Sequence, residues 1–413
     1  MGNAPISEKD RIHTIDIIRG FALFGIFLVN MPSFHSPVFM KTMYGVEMEY
    51  TGLDYWIDVF FTLFIDSKFF TMFSFLFGLG FYIFMSRAEK KGLGMKRLYV
   101  RRILALLLFG VIHLIALWYG DILHTYAIAG LFLLFFYKRK IRTMVIWAGS
   151  LLIVYNAFMS LTLLVPSGVL EEIESASVGM TAGLEKYVEV YENAGYLEWV
   201  SYRLGTELPI ILVNLLPAMV PVFAMFLIGL AVGKAGIFQN LQEHTSFLKK
   251  VRTITLSISI PLVGALALFT LGIIDWGIKQ TYVIEVLTSV SSISLCLFYI
   301  VALTLLLRNE SWQKKLRPLG AMGRMALTNY LMQTIISVAI FVGLGWYGDV
   351  GLFMGTLICF VILVIQMVAS TFWLKKFQFG PFEWLWRSLT YWRLQPIRKQ
   401  EIVSNAVEEK GQV

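Results

Sequence analysis

Charge is what this chain has least of: 15% of its 413 residues are Asp, Glu, Lys or Arg, against about 25% in soluble domains. That shortage excludes an ordinary water-facing surface, and the 57% hydrophobic content and mean hydropathy of +0.71 exceed what the cores of two or three soluble domains could hide. Cysteine is scarce too. Cys296 and Cys359, the two present, lie inside apolar runs and read as small core residues, from which no disulfide is inferred. The chain also lacks a glycine-rich phosphate loop, a GxSxG elbow and a CxxC pair, so the familiar signatures of nucleotide hydrolysis, α/β-hydrolase chemistry and thiol exchange are missing. No small-residue cleavage site follows the first apolar run, which is preceded by Glu8, Lys9, Asp10 and Arg11, so the first helix reads as uncleaved.

What is present is a series of apolar runs long enough to cross a bilayer at about 20 residues each. They lie near 15 to 33, 66 to 86, 102 to 119, 121 to 137 and 143 to 165, then near 209 to 232, 253 to 274, 282 to 306, 324 to 346 and 350 to 374. The predicted fold is all-α, a polytopic transmembrane bundle of about ten spans. The connections sort by charge. Arg87 to Arg102, Lys138 to Arg142, Lys249 to Arg252 and Lys314 to Arg317 are basic, whereas 35 to 58, Tyr119 to Asp121, 171 to 207 and the turns at Asp275 and Asp349 are not. Positive residues stay on the cytoplasmic side, which puts both termini in the cytoplasm and the acidic connections outside. The expected location is the cell (plasma) membrane, multi-pass. The net charge of +8 sits in these short clusters rather than on one amphipathic face, so membrane lipid and not nucleic acid is the expected partner.

The predicted organisation is a cytoplasmic N-terminus over 1–14, a first five-span half over 15–165, an outward acidic loop over 166–208, a second half over 209–375 and a cytoplasmic interfacial segment and tail over 376–413. The acidic loop carries Tyr187, Tyr191 and Tyr196 and predicts one or two short surface helices, either a solvated linker or a cap over an outward pocket.

An ionisable residue inside a span costs about 2.5–3.5 kcal/mol on insertion scales, so each is a functional candidate. TIDIIRG puts Asp16 and Arg19 three apart at the inner mouth of the first span, able to pair, to anchor the span or to hold an anion. At its outer end stand Asn30 and, after a Pro-containing turn, His35. HLIALWYGDILHTYAIAG carries the most chemistry. Asp121 and His124, three apart at a helix start, predict a base with an orienting carboxylate, though Asp121 alone would serve as an N-cap. His113 lies eight residues earlier, about 12 Å along the third span at helical rise, and is expected to face the bundle interior. Trp118 and Tyr119 suit an interfacial aromatic belt. The histidine spacings carry no metal-site signature, so no metal is predicted. GRMALTNYLMQT places Arg324 at the inner mouth with Asn329 and Gln333 on one face deeper in, either interhelical hydrogen bonders or the wall of a tunnel. Ser74 and Gly78 predict a small-residue helix contact, and Glu383 and Arg387 share a face of an aromatic segment expected to anchor at the membrane surface.

The segments IDIIRGFALFGIFLVNM, RRILALLLFGVIHLIALWYGDILHTYAIAG, GRMALTNYLMQT and GPFEWLWRSLTY together resemble, in order and spacing, the YeiB family of bacterial membrane proteins, catalogued under domain of unknown function 418 and loosely linked to transport. A more distant resemblance is to the membrane acyltransferases typified by lysosomal heparan-alpha-glucosaminide N-acetyltransferase, which carry an acetyl group from cytosolic acetyl-CoA to an acceptor across the membrane. Those proteins also begin with an Asp-x-x-Arg-Gly span ending in Val-Asn, matched by Asp16, Arg19, Gly20, Val29 and Asn30. Their catalytic histidine lies in the following outward loop, where His35 stands; the residues flanking His35 depart from the pattern, and His124 is a rival base.

Three expectations follow. In the first, the chain is an acyltransferase: Asp16, Arg19, Arg101, Arg102 and Arg324 hold acetyl-CoA or another acyl-CoA, His124 with Asp121, or else His35, deprotonates a small-molecule or glycan acceptor, and Asn30, Asn329 or Gln333 stabilises the oxyanion. In the second it is a transporter with His113 and His124 carrying protons. The third is a non-catalytic scaffold. A homo-oligomer is compatible with all three.

Overall fold

The computed structural model describes residues 12–46, 48–178 and 181–399. The N-terminal charges Lys9 and Arg11 and the tail carrying Glu408, Glu409 and Lys410 lie outside those residues. Every long element is a helix, because a backbone surrounded by hydrocarbon must satisfy its own N–H and C=O groups. In chain order these are α1 (His13–His35), α2 (Val38–Met43), α3 (Gly52–Phe64), α4 (Lys68–Lys90), α5 (Met95–Ile112), α6 (Leu123–Phe132), α7 (Ile141–Ser160), α8 (Ser167–Val178), α9 (Thr181–Asn193), α10 (Tyr196–Tyr202), α11 (Leu208–Lys234), α12 (Thr245–Thr270), α13 (Gln280–Leu306), α14 (Glu310–Lys315), α15 (Arg317–Arg324), α16 (Ala326–Val338), α17 (Leu352–Lys376) and α18 (Pro381–Tyr391).

Among the described residues nine helical stretches are long and apolar enough to cross a membrane. The expectation of about ten differs at one place: the run at 121 to 137 folds into a shorter apolar helix, Leu123–Phe135. Residues 118–122, the last two of them from that run, are non-helical and reverse the chain's direction. A second difference lies in the connection after α1, where Gly52–Phe64 forms a helix whose Asp54 accepts hydrogen bonds from the amides of Leu352 and Phe353 at 3.1 and 2.7 Å and so caps α17.

Helix association in lipid depends on close van der Waals packing, and small residues permit it. A Cβ on Gly78 would strike the backbone of Phe226, and one on Gly229 the backbone of Phe75, so α4 and α11 cross with their main chains in contact. The Ser74 and Gly78 face is therefore a helix contact, as its spacing predicts, with Ser74 Oγ also 2.7 Å from the Tyr126 hydroxyl. α1, α4, α11, α6 and α16 form the buried centre, whereas α7 and α12 are mostly exposed along apolar faces and suit the lipid boundary.

The acidic stretch after α7 forms three helices, α8 to α10, rather than one or two. Tyr187, Tyr191 and Trp199 from α9 and α10 are buried with Met40 and Tyr347 in an aromatic cluster, so this segment is a packed cap and not a solvated linker. Trp118 and Tyr119 are likewise buried, against Phe34 and Phe39 with ring centroids 4.3 Å apart in each pair, and do not form an interfacial belt.

Candidate functional site

α5 ends in a wide turn, His113–Leu117, and the chain then doubles back before α6. This reversal brings His113 onto Asp121: their Nδ1 and Oδ1 atoms are 2.9 Å apart, although the sequence separates them by about 12 Å of helix axis. The contact is too bent for a well-formed hydrogen bond, and the ring's other nitrogen, Nε2, lies 2.9 Å from Thr334 Oγ1 on α16. The second Asp121 oxygen accepts from the His124 amide at 2.8 Å and faces His124 Nδ1 at 2.7 Å. One carboxylate thus caps the first turn of α6 and bridges two imidazoles. The His113 and Asp121 side chains are fully buried and that of His124 is nearly so.

A carboxylate against Nδ1 holds the ring proton there and leaves Nε2 as the accepting nitrogen; on His124 that nitrogen lies 3.3 Å from Thr125 Oγ1. Gly110 makes the arrangement possible. A Cβ at that position would run into the backbone of Leu123 and His124, so α5 and the start of α6 approach this closely only with glycine between them. Each nitrogen of the pair facing Asp121 is directed at a separate oxygen, and among the described residues no group of three or more His, Cys, Asp or Glu surrounds a common point suited to a metal ion.

Two cavities meet beside this cluster. An outer one of about 460 Å³ is lined by Asp121, His124, Thr125, Asn30, Ser67 and Asn214 among apolar walls. An inner one of about 300 Å³ is lined by five arginines, Arg19, Arg87, Arg102, Arg324 and Arg387, together with Glu383 and a long apolar sleeve from α4 and α5. Ile26, Ile122 and Tyr330 line both. Along α1 the inner cavity is lined by Arg19, Leu23 and Ile26 and the outer one by Ile26 and Asn30, a spacing of four, three and four that keeps one helix face on the two cavities in turn. That face covers about 16 Å from Arg19 to Asn30 at helical rise. A third cavity, about 990 Å³, opens at the basic end and carries Arg308, Lys314, Arg317, Lys375 and Lys399 with His13, Asp16 and Glu310; Arg324 lines both it and the inner cavity.

Several residues singled out by sequence lie elsewhere. His35 is buried against Gly355 and Phe341 and lines none of the three cavities, and neither ring nitrogen has a hydrogen-bond partner. Of the two imidazoles, His124 lines the outer cavity and His35 does not. Arg101 stacks over Trp392, 5.4 Å from the ring centroid, and is not part of the inner cavity. Asn329 donates to Met322 O at 3.1 Å and to Ser370 Oγ at 3.0 Å, and Gln333 donates to Gln366 Oε1 at 3.0 Å, so both amides are committed to packing α16 on α15 and α17. Asp16 pairs with Arg19 at 2.9 Å as expected, with the carboxylate at the rim of the basic cavity and the guanidinium in the inner one.

Sequence reasoning missed Tyr330, whose hydroxyl receives the Ile122 amide at 3.4 Å and keeps its own proton for donation at the junction of the cavities. It also misread Glu383, which caps α16 by accepting from the Leu327 and Thr328 amides at 2.6 and 3.0 Å; burial pushes its carboxyl above the ordinary range against the pull of those hydrogen bonds. Arg102 lies over the Trp386 ring at 3.5 Å, with the Trp386 indole donating to its carbonyl at 2.8 Å. Only the aromatic spacing of GPFEWLWRSLTY signalled that this segment folds back on the bundle.

Residues 232–393 match the model of a family described as protein of unknown function (DUF418). The chain is 36% identical to the uncharacterized protein YxaH of Bacillus subtilis (strain 168), over 96% of this chain and 98% of that protein. It is 29% identical to an uncharacterized 39.9 kDa protein in the amylase 3' region of Bacillus acidopullulyticus, over 95% and 97% of the two chains, and 29% identical to the uncharacterized protein YeiB of Escherichia coli (strain K12), over 92% and 96%. No solved structure matches it. Identity of this degree along nearly the whole length, with the family segment at its C-terminal side, makes the chain a member of the DUF418, or YeiB, family.

Proposed function

We propose that this protein is an integral membrane acyltransferase that takes an acyl group from acyl-CoA at its basic, cytoplasmic end and delivers it to an acceptor hydroxyl or amine at the opposite end. The observation that supports the reading is the shared lining of Ile26, Ile122 and Tyr330, which sets an arginine-lined cavity directly beside one that reaches His124. Guanidinium groups match phosphate oxygens in geometry and charge, and an extended pantetheine arm suits the apolar sleeve between Arg102 and the junction. The donor supplies a thioester. The acceptor attacks its carbonyl carbon while His124 Nε2 removes the acceptor's proton, with Asp121 stabilising the imidazolium. Tyr330 and Asn30, both on the outer cavity, are the available oxyanion donors. The carbon–sulfur bond then breaks, and the thiolate takes the proton back from His124.

Protein in liposomes with labelled acetyl-CoA tests this. Arg19→Ala is expected to weaken CoA binding, and His124→Ala to abolish transfer with CoA binding kept. Transfer that survives His124→Ala contradicts the mechanism. A second reading, a proton-coupled transporter, draws on the His113 to Thr334 contact, which extends the buried network from Asp121 into α16. It requires solute flux driven by a pH gradient with no acyl donor present.

A further inference from the structure

The outer cavity is open sideways. Its α11 wall is built from Ile210, Ile211, Asn214, Leu215 and Ala218, and of these Asn214 and Ala218 are also exposed on the outside of the bundle. The flank around them is apolar and uncovered: Leu212 is 54% exposed, Val213 77% and Leu216 72%. An exposed row of this kind on a candidate span suits hydrocarbon and not water. On another side the cavity is bordered by α2, whose Phe39 and Met43 line it and which packs against α9 of the aromatic cap. The lining is of two kinds. Asp121, His124, Asn30 and Ser67 supply polar lining, while Ile210, Ile211 and Leu215 on α11 and Val29 on α1 supply apolar lining, with Asn214 the polar residue of the α11 wall.

We infer that the acceptor is an amphiphile of the outer leaflet, entering between α1 and α11 with its hydrocarbon tail against the apolar walls and its head hydroxyl or amine presented to His124. This deepens the acyltransferase reading and rests on it for the reaction. A freely soluble acceptor would leave the apolar α11 wall and the uncovered flank beside it without a role. A tail lying against Ile210, Leu215 and Val29 instead exchanges one hydrocarbon environment for another, so binding selects the head group and aligns it with the base.

The test is photolabelling in nanodiscs with a dodecyl glycoside that carries a diazirine at mid-chain, followed by peptide mapping. Label is expected on the segments holding Val29 and Ile210 to Leu215, reduced about tenfold by Ala218→Phe, the change that ~1.4 kcal/mol produces. Ala218→Ser leaves the opening clear and is expected to label like the unmodified chain. Label spread over the exposed faces of α7 and α12 without preference for the cavity walls overturns the inference. So does wall label undiminished by Ala218→Phe in protein whose α7 label is normal. The labelling needs no acyl donor, so its failure is separable from failure of the acetyl-CoA assay.

Discussion

Two buried carboxylates in this molecule have nearly the same surroundings and opposite connections. Asp121 bridges His113 and His124 beside the wide turn His113–Leu117. Glu207 pairs with Arg203 Nε at 3.0 Å and accepts the Tyr191 hydroxyl, and the two charged residues bound a second wide turn, Arg203–Glu207. Both clusters are almost wholly buried, and such turns often accompany functional sites. Yet Arg203 and Glu207 line none of the three cavities; Arg203 stacks on Trp199 at 3.9 Å and donates to the Ile115 carbonyl at 3.1 Å, while the Tyr196 hydroxyl donates to Ala116 O at 2.8 Å. Those two carbonyls belong to the end of α5 that the His113 turn leaves without helical partners. The Arg203 cluster holds the turn in place, and the Asp121 cluster faces the outer cavity. Burial and pairing are common to both, and access separates them.

The comparison is open to direct attack. The largest expected effect is on chemistry at the accessible cluster: His124→Ala lowers acyl transfer by about 10²–10⁴-fold, the usual worth of a general base, with thermal unfolding in detergent little changed because His113 still supports Asp121. Arg203→Ala is expected to do the reverse, costing about 3–5 kcal/mol of stability by stranding Glu207 as a buried charge, with transfer per folded molecule retained; the joint change Arg203→Met and Glu207→Leu recovers much of the melting temperature. Equal loss of activity in both single variants would erase the distinction. Gly110→Ala, which forces α5 and α6 apart, is expected to cost about 1–3 kcal/mol and to reduce transfer beyond what the lost stability explains, read as a fall in kcat with CoA binding unchanged. The smallest effect belongs to Gln333→Leu, about 0.6 kcal/mol for one interhelical hydrogen bond in a membrane, with transfer unaffected; a large drop in kcat would restore Gln333 as an oxyanion donor.

Much of this was legible in the sequence, for reasons that concern single helices. Apolar run length marked the spans because the bilayer sets it, and only the run at 121 to 137 fell short, where residues of the run were spent on a reversal. Asp121 and His124 were readable as neighbours because three residues on one helix start fix their separation. His35 looked equivalent to His124 because a place near the outer end of a span says nothing of which cavity a ring enters; His35 ends α1, and contact with Gly355, more than 300 residues away, decided it. Asn329 and Gln333 shared a face, as spacing required, and that face met Ser370 and Gln366 rather than a tunnel.

By itself the sequence determined the solvent, the helical class and the faces on which polar side chains lie, since apolar length, backbone self-satisfaction and a period of 3.6 residues are properties of one segment at a time. Which faces meet was decided only in three dimensions. The His113 contact to Asp121, the five arginines around one cavity and the junction at Tyr330 each join segments far apart in the chain, and their meeting depends on close crossings that a few glycines permit and that no local pattern encodes.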